Sequence, residues 1–115
     1  AAQADGASII PIIGMPPVTS NHPERYVDAI FDEVLKTFSK PDTLVTSLQD
    51  WRKGRRAEVR EVNGWVVDIL KAHGRTSPMN QRVVEMALEI EKGLRTADPA
   101  NAKDLLATYH EITRT

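Results

Sequence analysis

The sequence contains no cysteine. That excludes a disulfide framework, a thiol nucleophile and a cysteine-built zinc site. No charge of one sign dominates: 15 Lys and Arg stand against 16 Asp and Glu, for a formal net charge of -1. A domain that lives on polyphosphate is usually more basic, so nucleic acid is not an expected partner. No apolar run approaches the roughly 18 residues that a membrane span needs, so a membrane is not expected either. Residues 1–8 hold no positively charged stretch and do not read as an intact signal peptide. They lack an initiator Met, which reads as an excerpt or a processed product. The default compartment is the cytoplasm. Glycine-rich phosphate loops are missing as well: neither G-x-G-x-x-G nor G-x-x-x-x-G-K-[ST] occurs among the six scattered glycines. There is no H-E-x-x-H, and His22, His73 and His110 are far apart, so no metal site is expected.

What is present is ordinary globular composition, with 41% hydrophobic and 27% charged residues in 115. That length suits one domain with one core. Residues 1–23 differ from the rest, holding four of the seven prolines and no Lys. Pro11 interrupts Ile9, Ile10, Ile12 and Ile13 and forbids a regular helix there. These residues read as an extended arm or the remnant of a preceding element, with residues 24–115 as the helical domain. Asn21 and Pro23 offer a helix start. Tyr26, Ala29, Ile30, Val34 and Phe38 then recur at helical spacing, which predicts a helix over 24–38 ended by Pro41.

Thr46 with Gln49, or Ser47 with Asp50, has capping-box spacing for a short helix that Gly54 ends or bends. Val59, Val62, Val66, Ile69, Leu70 and His73 line one face of a longer helix over about 57–73, stopped by Gly74. Ser77 and Pro78 start the next one, whose stripe is Val83, Val84, Met86, Ala87, Ile90 and Leu94. Asp98 and Pro99 repeat the start signal before Leu105, Leu106, Tyr109 and Ile112. Nothing alternates with period two, so the fold class is all-α, a compact bundle of about four main helices.

The densest chemistry runs over residues 46–64. Arg52, Lys53, Arg55 and Arg56 make a basic cluster. One reading is an anion site; the more economical one is a solvated loop paired with Asp50, Glu58 and Glu61. Glu58 in the first turn of a helix is favoured by the helix dipole alone. Asn63 and Gly64 are two poor helix formers in mid-helix. They point to close packing against another backbone or a polar group aimed into a cleft, against the plainer reading of tolerated surface positions.

L-Q-D at residues 48–50, G-R-R-A-E-V at 54–59, V-N-G at 62–64 and H-G-R-T-S-P-M-N at 73–80 stand in order. The set resembles the C-terminal domain of ketopantoate reductase (2-dehydropantoate 2-reductase), whose pattern is close to S-M-L-Q-D-x-x-x-G-R-x-T-E-I-D-x-I-N-G followed by H-G-x-x-T-P-x-N. The resemblance implies the helical C-terminal domain of 6-phosphogluconate-dehydrogenase-like reductases. It also implies NADPH-dependent reduction of ketopantoate to pantoate on the route to pantothenate, with the cofactor held by a separate Rossmann domain. The helical domain of that family closes over the substrate and mediates dimer contacts, so a homo-oligomer is expected. By the same resemblance Thr46 takes the place of the substrate-binding serine and keeps its hydroxyl. Glu58 takes the place of the glutamate near lysine and substrate. Thr43 stands where some members carry a substrate-contacting asparagine. The family's general-acid lysine has no counterpart, since the first lysine is Lys36. No catalytic residue is therefore assigned within this chain; Thr46 and Glu58 are substrate-binding candidates, and no bound NADPH is expected on these residues alone.

The competing reading is a stand-alone helical interaction or oligomerisation module without catalysis. In it Trp51 or Trp65 and the Ile9–Ile13 patch would be interface anchors, although intramolecular packing of both tryptophans is the simpler expectation. A helix-turn-helix nucleic-acid binder using residues 52–56 ranks last, because acids alternate with the arginines.

Overall fold

A computed structural model describes residues 1–8 and 23–114, and every described element of it is helical. The Ile9–Ile13 patch and the Asn21 cap lie outside the described residues. The chain divides into two units, Ala2–Thr43 and Leu44–Thr115 together with Ala1.

In the first unit, α1 spans Pro23–Glu33. It runs on as a wider π-helical turn, Val34–Phe38, closed by the Ser39 amide donating to the Val34 carbonyl five residues back at 3.0 Å. The predicted helix over 24–38 is thus two helical geometries. Tyr26, Ala29 and Ile30 are half-buried, whereas Val34 and Phe38 of the expected stripe are exposed. Ser39 turns extended (φ -87°, ψ 131°), two residues before Pro41.

The second unit holds α2 (Thr46–Arg52), α3 (Val59–Ala72), α4 (Pro78–Glu91) and α5 (Ala102–Thr113), the last entered through a 3₁₀ turn at Pro99–Asn101. Two glycines set the first links. Gly54 and Gly74 both sit at φ +67°, a left-handed conformation that costs other residues a Cβ clash. Each lets the following amide reach back over the helix end: Arg55 N–H donates to Asp50 O, and Arg75 N–H to Leu70 O, both at 2.8 Å. Pro78 occupies the first turn of α4, and the Asp98 carboxylate accepts from the Ala100 amide at 2.7 Å to start the turn before α5.

Two expectations are corrected here. Neither predicted capping box forms at α2: Val45 is the residue before the helix, and no side chain caps it. Instead the Gln49 side-chain amide donates to the Leu44 carbonyl at 2.7 Å and closes the entry from below. Leu94 does not continue the α4 stripe. The helix ends at Glu91, Gly93 turns left-handed, and Leu94 is 76% exposed.

The core sits where α3 and α4 pack. Ala57, Val59 and Ala87 are buried together, with Trp51, Val83 and Val84 packed against them, and Leu70 and Met86 are buried as well. Charge fastens α5 to α4. Arg95 donates to Glu89 at 2.6 Å and to Asp104 at 2.7 Å, and Arg82 on α4 lies 3.9 Å from Asp104 on α5. The hydrogen bond from Arg95 is the main reason that the Glu89 carboxyl is held below its ordinary value.

Candidate functional site

Thr46 is the first residue of α2, and Glu58 immediately precedes the first turn of α3. A six-residue turn through Gly54 joins the two helices, so Thr46 and Glu58 stand at the two ends of one segment made of α2 and that turn. Both residues are exposed. Glu58 does not cap α3 with its side chain, and neither side chain has a hydrogen-bond or ion-pair partner among the described residues. The site therefore offers one free hydroxyl, a donor and acceptor, and one free carboxylate, an acceptor when ionised. Thr43, the third position implied by the resemblance, is not free: its hydroxyl accepts from the Lys40 amide at 2.9 Å.

The basic cluster follows the economical reading in part. Arg55 pairs with Asp50 at 3.0 Å, and Arg56 pairs with Glu61. Glu58, the third expected partner, takes no arginine. Glu61 lies below its ordinary carboxyl value, first through its own backbone amide and then through Arg56. Each of these two guanidiniums meets its carboxylate through one nitrogen, so the local acids offset their charge.

Asn63 is explained by a contact that its sequence position only hinted at. Its amide donates to Asn80 Oδ1 at 2.8 Å, and Asn80 Nδ2 donates in turn to Ser77 Oγ at 2.8 Å. The V-N-G and T-S-P-M-N segments are thus two halves of one polar link between α3 and α4. Gly64 is not forced by packing. A Cβ there would meet Arg60 Cγ at 3.6 Å and Val84 Cγ2 at 3.9 Å, both ordinary contacts.

Glu91 was not foreseen. From the last turn of α4 its Oε1 accepts from the Ala57 amide at 3.0 Å and from the Trp51 indole N–H at 3.3 Å. The signal available in the sequence was slight: an acid at a helix C-terminus is disfavoured by the helix dipole and calls for another reason.

Beside these residues, Leu48, Trp51, Val59, Met86, Ile90 and Leu105 line an apolar pocket of about 300 Å³. Neither Thr46 nor Glu58 lines it. No group of three or more metal-ligating side chains gathers among the described residues. No described helix is long and apolar enough to cross a membrane.

The elements from α2 to α4 carry, in order, the four motif segments, and residues 2–91 match the family model of the ketopantoate reductase (PanE/ApbA) C-terminal domain. The chain thus belongs to the helical C-terminal domains of that reductase family. The 3₁₀ turn and α5 lie beyond the matched residues. No curated protein and no solved structure matches the chain significantly.

NADPH is the cofactor that the family implies, and the described residues hold no Rossmann-type site for it. A dinucleotide site of the Rossmann type needs a strand leading into a glycine-rich turn. The described residues contain no strand, and the sequence has no such turn.

Proposed function

We propose that this chain is the substrate-closing domain of a 2-keto acid reductase, with ketopantoate as the substrate class, Thr46 and Glu58 as its substrate contacts and NADPH carried by a separate Rossmann domain. The observation that carries the reading is the pairing of the family match with a hydroxyl and a carboxylate, at the two matching motif positions, that have no partner among the described residues. The chemistry is complementary. A 2-keto acid presents a carboxylate and a keto oxygen, both acceptors, so the Thr46 hydroxyl serves as a donor to one of them. An ionised Glu58 would repel the substrate carboxylate, and its useful partner is a donor. Ketopantoate supplies one in its terminal hydroxyl. This division fixes which end of the substrate faces which helix. The parent protein acts in pantothenate biosynthesis in the cytoplasm.

By themselves these 115 residues do not reduce the substrate. Hydride transfer needs the donor held about 3–3.5 Å from the carbonyl carbon. It also needs an acid or electrostatic partner for the developing alkoxide. Thr46 and Glu58 supply neither a hydride nor a strong acid. Incubating the purified chain with NADPH and ketopantoate tests this directly. Absorbance at the nicotinamide band stays constant on this account, and steady oxidation coupled to pantoate formation overturns it.

Self-association is a second reading, favoured by one observation. Val62 and Trp65, three residues apart on α3, are 61% and 44% exposed. Trp51, the other candidate anchor, packs inward. A homodimer through this face predicts that Trp65→Ala stays folded and sediments as a monomer where the parent chain does not.

A further inference from the structure

Glu91 joins three elements at one oxygen. It leaves α4 at its last residue, and its Oε1 accepts from the Trp51 indole near the end of α2 and from the Ala57 amide just before Glu58. Ala57 is only 2% exposed, so its amide has no route to bulk water and requires a partner inside the protein. The partner is this carboxylate. The bond is charge-assisted on the acceptor side and shorter than the indole one, 3.0 against 3.3 Å.

We infer that Glu91 is a positioning residue for Glu58: it fixes the turn between α2 and α3 from both sides, and thereby sets where the Glu58 carboxylate stands relative to α2. Among the described residues, Glu58 itself has no side-chain partner to hold it. What orients it is its backbone, and the amide next to that backbone is tied to α4 through Glu91. The six-residue turn carries two arginines engaged by Asp50 and Glu61, both on the neighbouring helices. Those ion pairs are surface pairs and weak anchors. The bond at Ala57 is half-buried and its amide belongs to a buried residue, which makes it the stronger anchor. The motif positions alone do not reveal this, because Glu91 lies at the far end of α4, 33 residues after Glu58.

The inference rests on the proposed role of Glu58, but its test does not require turnover, so the two fail separately. The experiment compares the 115-residue chain with Glu91→Gln and Glu91→Ala by nuclear magnetic resonance. Three signals are followed: hydrogen exchange of the Ala57 amide, the Trp51 indole resonance and the side-chain carboxyl resonance of Glu58. Glu91→Ala should speed Ala57 exchange tenfold or more, move the Trp51 indole and shift the Glu58 carboxyl signal. Glu91→Gln keeps a carbonyl acceptor and should return Ala57 exchange and the Glu58 signal most of the way. The Trp65 indole should stay fixed throughout, as an internal control. A Glu58 signal unmoved in Glu91→Ala, with Ala57 exchange accelerated, makes Glu91 a local brace and overturns the inference. Unchanged Ala57 exchange overturns it as well. If Glu91→Ala does not fold, Glu91→Asp draws the carboxylate back by one methylene. Ala57 exchange and the Glu58 signal should then move together, and faster Ala57 exchange with an unmoved Glu58 signal overturns the inference.

Discussion

Replacing Gly64 by alanine should stabilise this domain. Gly64 lies at the sixth position of the 14-residue α3, well inside the helix. Its φ is not positive, so alanine adopts the same backbone without strain. The added methyl meets Arg60 Cγ at 3.6 Å and Val84 Cγ2 at 3.9 Å, which is van der Waals contact and not overlap. Glycine in a helix interior costs about 1 kcal/mol relative to alanine, and nothing in the packing offsets that gain. For a unit of this size about 1 kcal/mol corresponds to a rise in Tm of roughly 4–8 °C. Urea denaturation followed by far-ultraviolet circular dichroism measures it, with the midpoint moving up and the slope unchanged. A variant that is less stable than the parent would refute the reasoning, because it would mean that Val84 cannot accept a methyl at that approach.

Three further outcomes follow from the same structure. Met86→Ala removes a side chain only 5% exposed, next to the apolar pocket, and should cost about 2–5 kcal/mol in the same denaturation assay. Asn63→Ala and Asn80→Ala should each destabilise by about 1 kcal/mol or more, and the double variant should cost less than the sum, because each single change orphans the other partner. Acid should loosen the α4–α5 junction. The Glu89 carboxyl, bonded by Arg95, is held below its ordinary value of 4.5, so its charged form contributes stability that is complete above that value. The contribution disappears as pH falls through the lower folded value. Thermal melts taken at decreasing pH below that ordinary value should show a declining Tm, and Glu89→Gln should flatten the decline.

Much of the helical order was legible because its punctuation is chemical. Gly54 and Gly74 stop helices by adopting a conformation that other residues avoid, and Pro78 and Asp98 start them. Periodicity was less reliable at helix ends. Leu94 stands four residues after Ile90 and so extends the pattern, yet Gly93 has already turned the chain away. The wide turn at Val34–Phe38 has no compositional mark at all. At the candidate site, Asn63 was legible as a residue out of place in a helix, but not the Asn80 it bonds, since that contact depends on how α3 and α4 pack. Thr46 and Glu58 are candidates through the family pattern alone. Glu91 was missed because a carboxylate that caps a distant amide leaves no local spacing to read.

The most direct test of the central claim is kinetic. The chain replaces the corresponding part of a ketopantoate reductase that retains its own cofactor domain and lysine-bearing helix, and kcat/KM for ketopantoate is measured with Glu58 and with Glu58→Gln. The account predicts NADPH-dependent reduction by the chimera and a loss of tenfold or more in kcat/KM on the substitution. A folded, NADPH-binding chimera with no activity, or one indifferent to Glu58→Gln, would contradict it.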